Sequence, residues 1–232
     1  MNRRFYLKDS LEGTPILEGS EFHHLAHVMR LKIGDEIELV NGQGVIARAQ
    51  IAKMQKNSAA LTILHQEKRP KPSPYLLTAI PFLRMDRLEW AIEKATELGA
   101  DAFYLFLADD SEKKELSEHQ LERLRHITIA AMKQCGRLYL PEIILLPSLQ
   151  EALQIDAYAL FGDVSPNAPM LEKTPDRSPI LMITGPEKGF SEREDKLLKE
   201  HAHGVRLHVN ILRAETAPIV ALSVLSRTLQ YT

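Results

Sequence analysis

Beyond residue 75 the apolar positions alternate between two periods. Residues 75–82 form a near-continuous apolar run of strand length. The next segment, 86–98, switches to helical spacing, with Leu88, Ala91, Ile92, Ala95 and Leu98 on one face and Gly99 as its stop. The alternation continues with a strand at 102–108, a long helix at 117–135 carrying Leu121, Leu124, Ile127 and Ala131, and a strand at 142–146. A short helix from Ser148 and a strand at 157–161 follow. Two strand–turn–helix units close the chain. One runs from Ile180 through Gly185-Pro186-Glu187-Lys188-Gly189 into a helix at 191–203. The other runs from Val205 through a polar turn into a helix at 218–229, with Thr216 as its N-cap and Pro218 in its first turn. Strands that are apolar throughout, alternating with helices, predict a parallel sheet covered on both faces. The two closing turns are expected at the C-terminal ends of neighbouring strands, the edge where open α/β sheets bind ligands.

The pattern before residue 70 differs. Short apolar runs at 36–40, 45–51 and 59–64 are separated by turn residues, notably Asn41-Gly42-Gln43-Gly44, and read as hairpins. A short helix is expected at 20–31 with Ser20 as N-cap. This predicts a small β-barrel over 1–70, near the lower size limit for an independent core. Pro70, Pro72 and Pro74 make the stretch at 71–74 a stiff linker, so a second domain is expected at 75–232.

Composition changes this picture little. A hydrophobic share of 44% and one cysteine, Cys135, suit an ordinary globular protein of a reducing compartment, and cytoplasmic residence is expected. No membrane-spanning apolar run and no metal-ligand spacing occur, so neither membrane nor metal is expected. The net charge of −2 hides an uneven split: residues 1–70 hold ten Lys/Arg against eight Asp/Glu, a net of +2, leaving −4 for the remainder. Arg3, Arg4, Arg30 and Lys32 supply a basic side to the first domain, which Arg84, Lys94 and Arg137 extend; such cations suit phosphate contacts, and each reads equally well as solvated surface charge. Dinucleotide, P-loop and nucleophile-elbow signatures are missing. Gly185-Pro186 and Gly189 read equally well as ordinary turn punctuation, and Arg213 with Glu215 as a solvated pair worth under about 1 kcal/mol.

Five motifs in order resemble one family. They are His23-His24-Leu25-Ala26-His27-Val28-Met29-Arg30-Leu31-Lys32-Ile33-Gly34-Asp35, then Met85 to Gly99 with its Lys94-Ala95-Thr96-Glu97-Leu98-Gly99 run, Gln134-Cys135-Gly136-Arg137 with Pro141, Gly185 to Ser191, and Leu212 to Ala217. Together they resemble the SPOUT class of knotted methyltransferases, and within it the RsmE-type family, which methylates ring nitrogen 3 of a uridine in 16S small-subunit ribosomal RNA. The resemblance implies a PUA-like RNA-binding β-barrel followed by an α/β domain with a mostly parallel sheet and a deep trefoil knot, a fold outside what patterning predicts. It also implies a homodimer acting on the small ribosomal subunit, with S-adenosylmethionine as cofactor.

Carried onto this chain, the cofactor residues are Phe161 and Gly162 after one strand, and Thr184, Gly185, Pro186, Glu187 and Gly189 after the next. Leu207, His208, Ile211, Leu212, Arg213, Thr216 and Ala217 complete the set. Glycines suit these loops because a missing Cβ admits close backbone approach. Arg213 is the candidate for stabilising negative charge on the uracil, and Glu187 and Glu215 are the candidate bases. Departures from the family are Lys188 where a glycine is usual, His208 for glycine, Asn210 for a cation, Arg84 for lysine, and Asp109-Asp110-Ser111 without its arginine. A positive φ at Lys188 would cost on the order of 1 kcal/mol. These departures motivate an alternative: a non-enzymatic RNA-binding or ribosome-assembly factor with a degenerate cofactor pocket.

Overall fold

The computed structural model describes residues 3–8, 11, 13–111 and 113–229. The chain divides into two compact units, Met1–Lys71 with Met132–Leu140, and Pro72–Ala131 with Pro141–Thr232.

In the first unit, β1 (Arg4–Tyr6), β2 (Ile16–Glu18), β3 (Glu36–Val40), β4 (Val45–Met54) and β5 (Ser58–Lys68) form one sheet in the order β1-β3-β4-β5-β2. The β3–β4 turn shows why Asn41-Gly42-Gln43-Gly44 reads as a hairpin. The Asn41 side-chain oxygen accepts from the Gln43 and Val45 amides at 2.9 and 3.1 Å, and Gly42 and Gly44 take φ of +72° and +89°. Register breaks between Arg48 and Ala49 and between Ile51 and Lys53 bend the long β4–β5 ladder, as bulges do, and the sheet curls PUA-like around Phe5, Leu17, Leu25, Leu39 and Leu61. Patterning missed β1 and β2. It also placed the N-cap wrongly: α1 (Gly19–His23) starts from Glu18 without a side-chain cap, then widens into a π turn over His24–Val28. Met132–Leu140 belongs to this unit, whereas the sequence suggested the second domain. Met132 and Leu138 pack with Val40, Tyr139 donates to the Arg69 carbonyl at 2.8 Å, and a Cβ on Gly44 would collide with the Tyr139 ring.

The second unit is a six-stranded sheet of β6 (Leu76–Pro81), β7 (Ala102–Phe106), β8 (Glu142–Leu146), β9 (Tyr158–Gly162), β10 (Ile180–Ile183) and β11 (His203–Val205), ordered β11-β9-β10-β6-β7-β8. Every pairing is parallel. Alternate residues feed two cores: Leu76, Ile80, Ile180 and Met182 face one, Ala79, Leu181 and Ile183 the other. The first is closed by α2 (Met85–Glu97), α3 (Glu118–Cys135) and α6 (Thr216–Leu225), through Leu88, Ile92, Leu124 and Leu222. The second is closed by α4 (Leu149–Ala152) and α5 (Glu192–His201), through Leu149 and Leu198. Burial on both faces is why these strands read as unbroken apolar runs. Strands β6, β7 and β8 progress one way from the centre, and β9, β10 and β11 occupy the other side, so the order reverses at β6 and β10. The two turns expected on neighbouring strands follow β10 and β11, and β9 lies between them.

Candidate cofactor edge

Three loops leave the C-terminal ends of β9, β10 and β11 on one side of the reversal. In doubly wound sheets this is where a crevice opens. Phe161 is buried in β9, and Gly162 ends it beside the third loop: a Cβ there would lie 3.6 Å from the Leu207 side chain and 3.9 Å from Met182.

The loop after β10 is held from several sides. Thr184 is buried, its amide donating to the Ala79 carbonyl at 3.0 Å. A Cβ on Gly185 would come within 3.1 Å of the Phe190 ring, a tight contact that a side chain there could make only if the ring gave way by a few tenths of an ångström. Pro186 is buried, and Gly189, at φ +82°, accepts the left-handed conformation. Lys188 is exposed and is not among the positive-φ residues; the conformation that would have penalised it falls one position later. Glu187 takes an ion pair from Arg87 of α2 at 3.0 Å, their side chains 19% and 33% exposed. The loop then enters α5 through a capping box. Ser191 Oγ accepts from the Glu194 amide at 3.1 Å, and Glu194, wholly buried, accepts from the Ser191 amide and from Asp109, both at 3.0 Å. Asp109 itself receives Ser191 Oγ and a bidentate Arg193. Those hydrogen bonds, Arg193 first and Ser191 second, hold its carboxyl below the usual aspartate range. The acidic Asp109 thus has a cation, supplied from α5.

The loop after β11 is built differently. Arg206 bends back to the His208 and Val209 carbonyls at 3.1 and 2.8 Å, and His208 Nδ1 accepts the Asn210 amide at 3.1 Å. Val209 and Ile211 are 68% and 84% exposed. Among the described residues the amides of Ile211, Leu212 and Arg213 make no hydrogen bond, nor do those of Gly185, Glu187 and Lys188. Ala217 and Thr216 donate to the Arg213 carbonyl at 3.0 and 2.9 Å. Thr216 is the first residue of α6; the N-cap is Glu215, without a side-chain cap bond. The Arg213 side chain is 82% exposed and 4.0 Å from Glu215, whose other oxygen is buried with no hydrogen-bond partner among the described residues.

The seven proposed RNA cations separate sharply. In the first unit Arg30 and Lys32 are exposed, with no side-chain hydrogen bond or ion pair among the described residues. Arg3 stands 3.8 Å from Asp35. Arg4 is bound to Glu38 at 2.9 Å and 12% exposed, and Arg137 is buried at 5%. These two are interior groups rather than a free basic surface. In the second unit Arg84 is exposed. Lys94 is held by Glu93 and Glu97 at 2.7 and 2.8 Å, which raise its amine above the usual lysine range and cancel its charge locally.

Sequence patterning assigned no role to Arg87, Arg206, Arg193 or Glu194, and Asp109 stood out only as a departure from the family pattern. Ser191-x-x-Glu194 is a readable capping box, whereas Arg87 and Glu187 stand far apart in the chain with no local signal joining them. Among the described residues no His, Cys, Asp and Glu cluster could hold a metal, and no helix is long and apolar enough to cross a membrane.

The family described as RNA methyltransferase domain matches residues 69–226, and that described as RNA methyltransferase PUA domain matches 17–64. Ribosomal RNA small subunit methyltransferase E of Bacillus subtilis is 30% identical over 239 residues, covering 94% of this chain and 93% of its own. The protein of the same name from Rickettsia conorii is 30% identical over 230 residues, covering 95% and 93%. The crystal structure of a ribosomal RNA small subunit methyltransferase E from Neisseria gonorrhoeae bound to S-adenosyl methionine matches with a TM-score of 0.86. It is 26% identical and covers 96% of this chain and 95% of its own.

Proposed function

Because the chain belongs to the RNA methyltransferase family, we propose that it transfers a methyl group from S-adenosylmethionine to ring nitrogen 3 of a uridine in 16S small-subunit ribosomal RNA. The observation that carries this reading is the set of unspent amides at Gly185, Glu187, Lys188, Ile211, Leu212 and Arg213. Lys188, Ile211 and Arg213 are exposed, so water satisfies their amides; Gly185, Glu187 and Leu212 are half-buried. Half-buried backbone donors are normally paired, so three left open at a sheet edge suit a ligand rich in acceptors, as an adenosine is. A Cβ on Gly185 would crowd the Phe190 ring at 3.1 Å, whereas one on Gly162 would make ordinary contact with Leu207 at 3.6 Å. The open amides of the second and third loops are the ground on which their residues fit the cofactor.

When bound, the sulfonium supplies the methyl group. The protein's part is to orient the uracil and manage one proton. Arg213, exposed at the loop tip, is the cation for the negative charge that develops as nitrogen 3 loses its proton. Glu215, with one buried oxygen unpaired, is the proton acceptor of choice. Glu187 is occupied by Arg87, and we assign it to holding the second loop. Phe161, Thr184, Pro186, Leu207, His208, Thr216 and Ala217 complete the cofactor walls.

Two features of the second unit support the knot and the dimer. The β9–β10 connection pairs with the strand leading into the third loop through a Met170–Arg206 bridge, and Thr174 donates to the carbonyls of Val224 and Leu225 in α6. That strap is where a knotted chain would be crossed. Val164, Val209 and Ile211, each more than two thirds exposed, suit cover by a second copy. The first unit is the RNA-binding unit in this reading, and the cytoplasm, where ribosomal RNA is found, is the place of action.

Calorimetric titration with S-adenosylmethionine and S-adenosylhomocysteine tests the proposal. Micromolar binding, about −8 kcal/mol, is expected. Gly185→Trp is expected to abolish it by displacing Phe190, and methyl transfer to purified small ribosomal subunits should map to one uridine. A folded protein that gives no heat with either ligand and transfers no methyl would favour the binding-factor reading instead.

A further inference from the structure

The segment between His23 and Ile33 carries three features the fold alone does not explain. First, Arg30 has φ +55°, the one non-glycine residue with positive φ among those described. It sits where the π turn ends and the Leu31 amide closes back to the Leu25 carbonyl at 3.1 Å, the place where a helix end favours glycine. An arginine kept there against a steric penalty points to a use for its side chain. Second, the π turn brings the exposed rings of His23 and His27 to 5.0 Å between centroids, with His27 edge-on to Phe22 at 6.3 Å. π turns often mark functional positions. His24 is turned the other way, against Phe5 at 5.8 Å. Third, Val28 and Ile33 are 58% and 62% exposed on either side of Arg30 and Lys32. The nearby carboxylates are spent elsewhere: Glu21 on Lys133 and the Tyr6 amide, Asp35 on the Lys32 amide at 2.7 Å and on Arg3. Among the described residues neither the Arg30 nor the Lys32 side chain makes a hydrogen bond or ion pair.

We propose that this segment grips single-stranded RNA, a base stacking on the His23 and His27 rings while Arg30 and Lys32 take the flanking phosphates. Open rings beside unpaired cations suit an unstacked strand, whose bases offer flat faces; a duplex hides them. The inference rests on RNA being the substrate and adds the mode of its recognition.

The test is fluorescence anisotropy of the full-length protein with a labelled oligouridylate of about ten nucleotides, a length within the usual site size. Replacing both rings (His23→Ala with His27→Ala) should weaken binding about tenfold, the loss of one stacked base, without changing the salt dependence. Arg30→Gly should weaken binding and lower the salt slope by about 0.7, the signature of one lost phosphate contact. The same variant should melt no lower than the parent, because glycine suits the backbone. Lys32→Gln should lower the slope by a similar amount. An Arg30→Gly protein that binds with parental affinity and slope would overturn the proposal, as would a folded double-histidine variant that binds unchanged. So would variants that keep their oligouridylate affinity but no longer co-sediment with small ribosomal subunits, which would assign the surface to a ribosomal protein. Cofactor titration and methyl transfer on the same proteins separate this inference from the proposed function: parent protein that binds oligouridylate but transfers no methyl supports the surface and removes the enzyme.

Discussion

The loop after β10 and the loop after β11 look alike in the sequence, each an apolar strand giving way to a polar turn and a helix. In the structure they are opposites. The first is tied by Glu187 to Arg87, by Glu194 to two amides, and by Asp109 to Ser191 and Arg193. The second is held chiefly by Arg206 curling onto its own carbonyls, and it presents Val209, Ile211 and Arg213 to solvent. One loop is a wall fixed before any ligand arrives. Both leave amides open, but the other also turns Val209 and Ile211 out to solvent.

The largest effect that would break this contrast is on Glu194. Glu194→Ala leaves the Ser191 and Asp109 amides without their carboxylate partner and removes the reciprocal half of the α5 capping box, while Ser191 Oγ keeps the amide of residue 194. Thermal or urea unfolding should show a loss of about 3 kcal/mol, with cofactor affinity falling alongside. Parental stability would mean the wall is not pinned there. Next comes Arg87→Ala. The pair it breaks is partly exposed, so stability should fall by no more than about 1 kcal/mol, while cofactor affinity drops about tenfold as Glu187 and its loop loosen. Calorimetry beside a melting curve separates the two.

Acid should act on the first loop through Asp109. Its carboxyl is depressed below the ordinary aspartate value near 3.8. The stabilisation is therefore complete above that value and is lost as pH falls toward and through the lower, folded-state one. Melting temperatures taken from about pH 5 downward should decline more steeply for the parent than for Asp109→Asn, which lacks this titration. The smallest stability effect is expected at Ile211. At 84% exposure, Ile211→Ser should change unfolding free energy by under about 0.5 kcal/mol, yet sedimentation should show weakened self-association. A large stability loss there would mean the third loop is as tightly built as the second.

Much of the architecture is legible in the residues. Unbroken apolar strands such as Ile180-Leu181-Met182-Ile183 can be satisfied only by burial on both faces, and the amphipathic Leu88, Ala91, Ile92, Ala95 row can lie only against one. Asn41 and its flanking glycines specify their hairpin because side-chain acceptor and positive φ are local properties. Two of the family motifs lie in the loops after β10 and β11. Local patterning failed where the partner is remote. The chain itself does not reveal that β9 separates β10 from β11, that Met132–Leu140 joins the first unit, or that Arg4 and Arg137 are interior while Arg30 and Lys32 are exposed. A residue's type sets which bonds it can make; the distant segments that fold against it decide which of them are spent, and so which remain for a ligand.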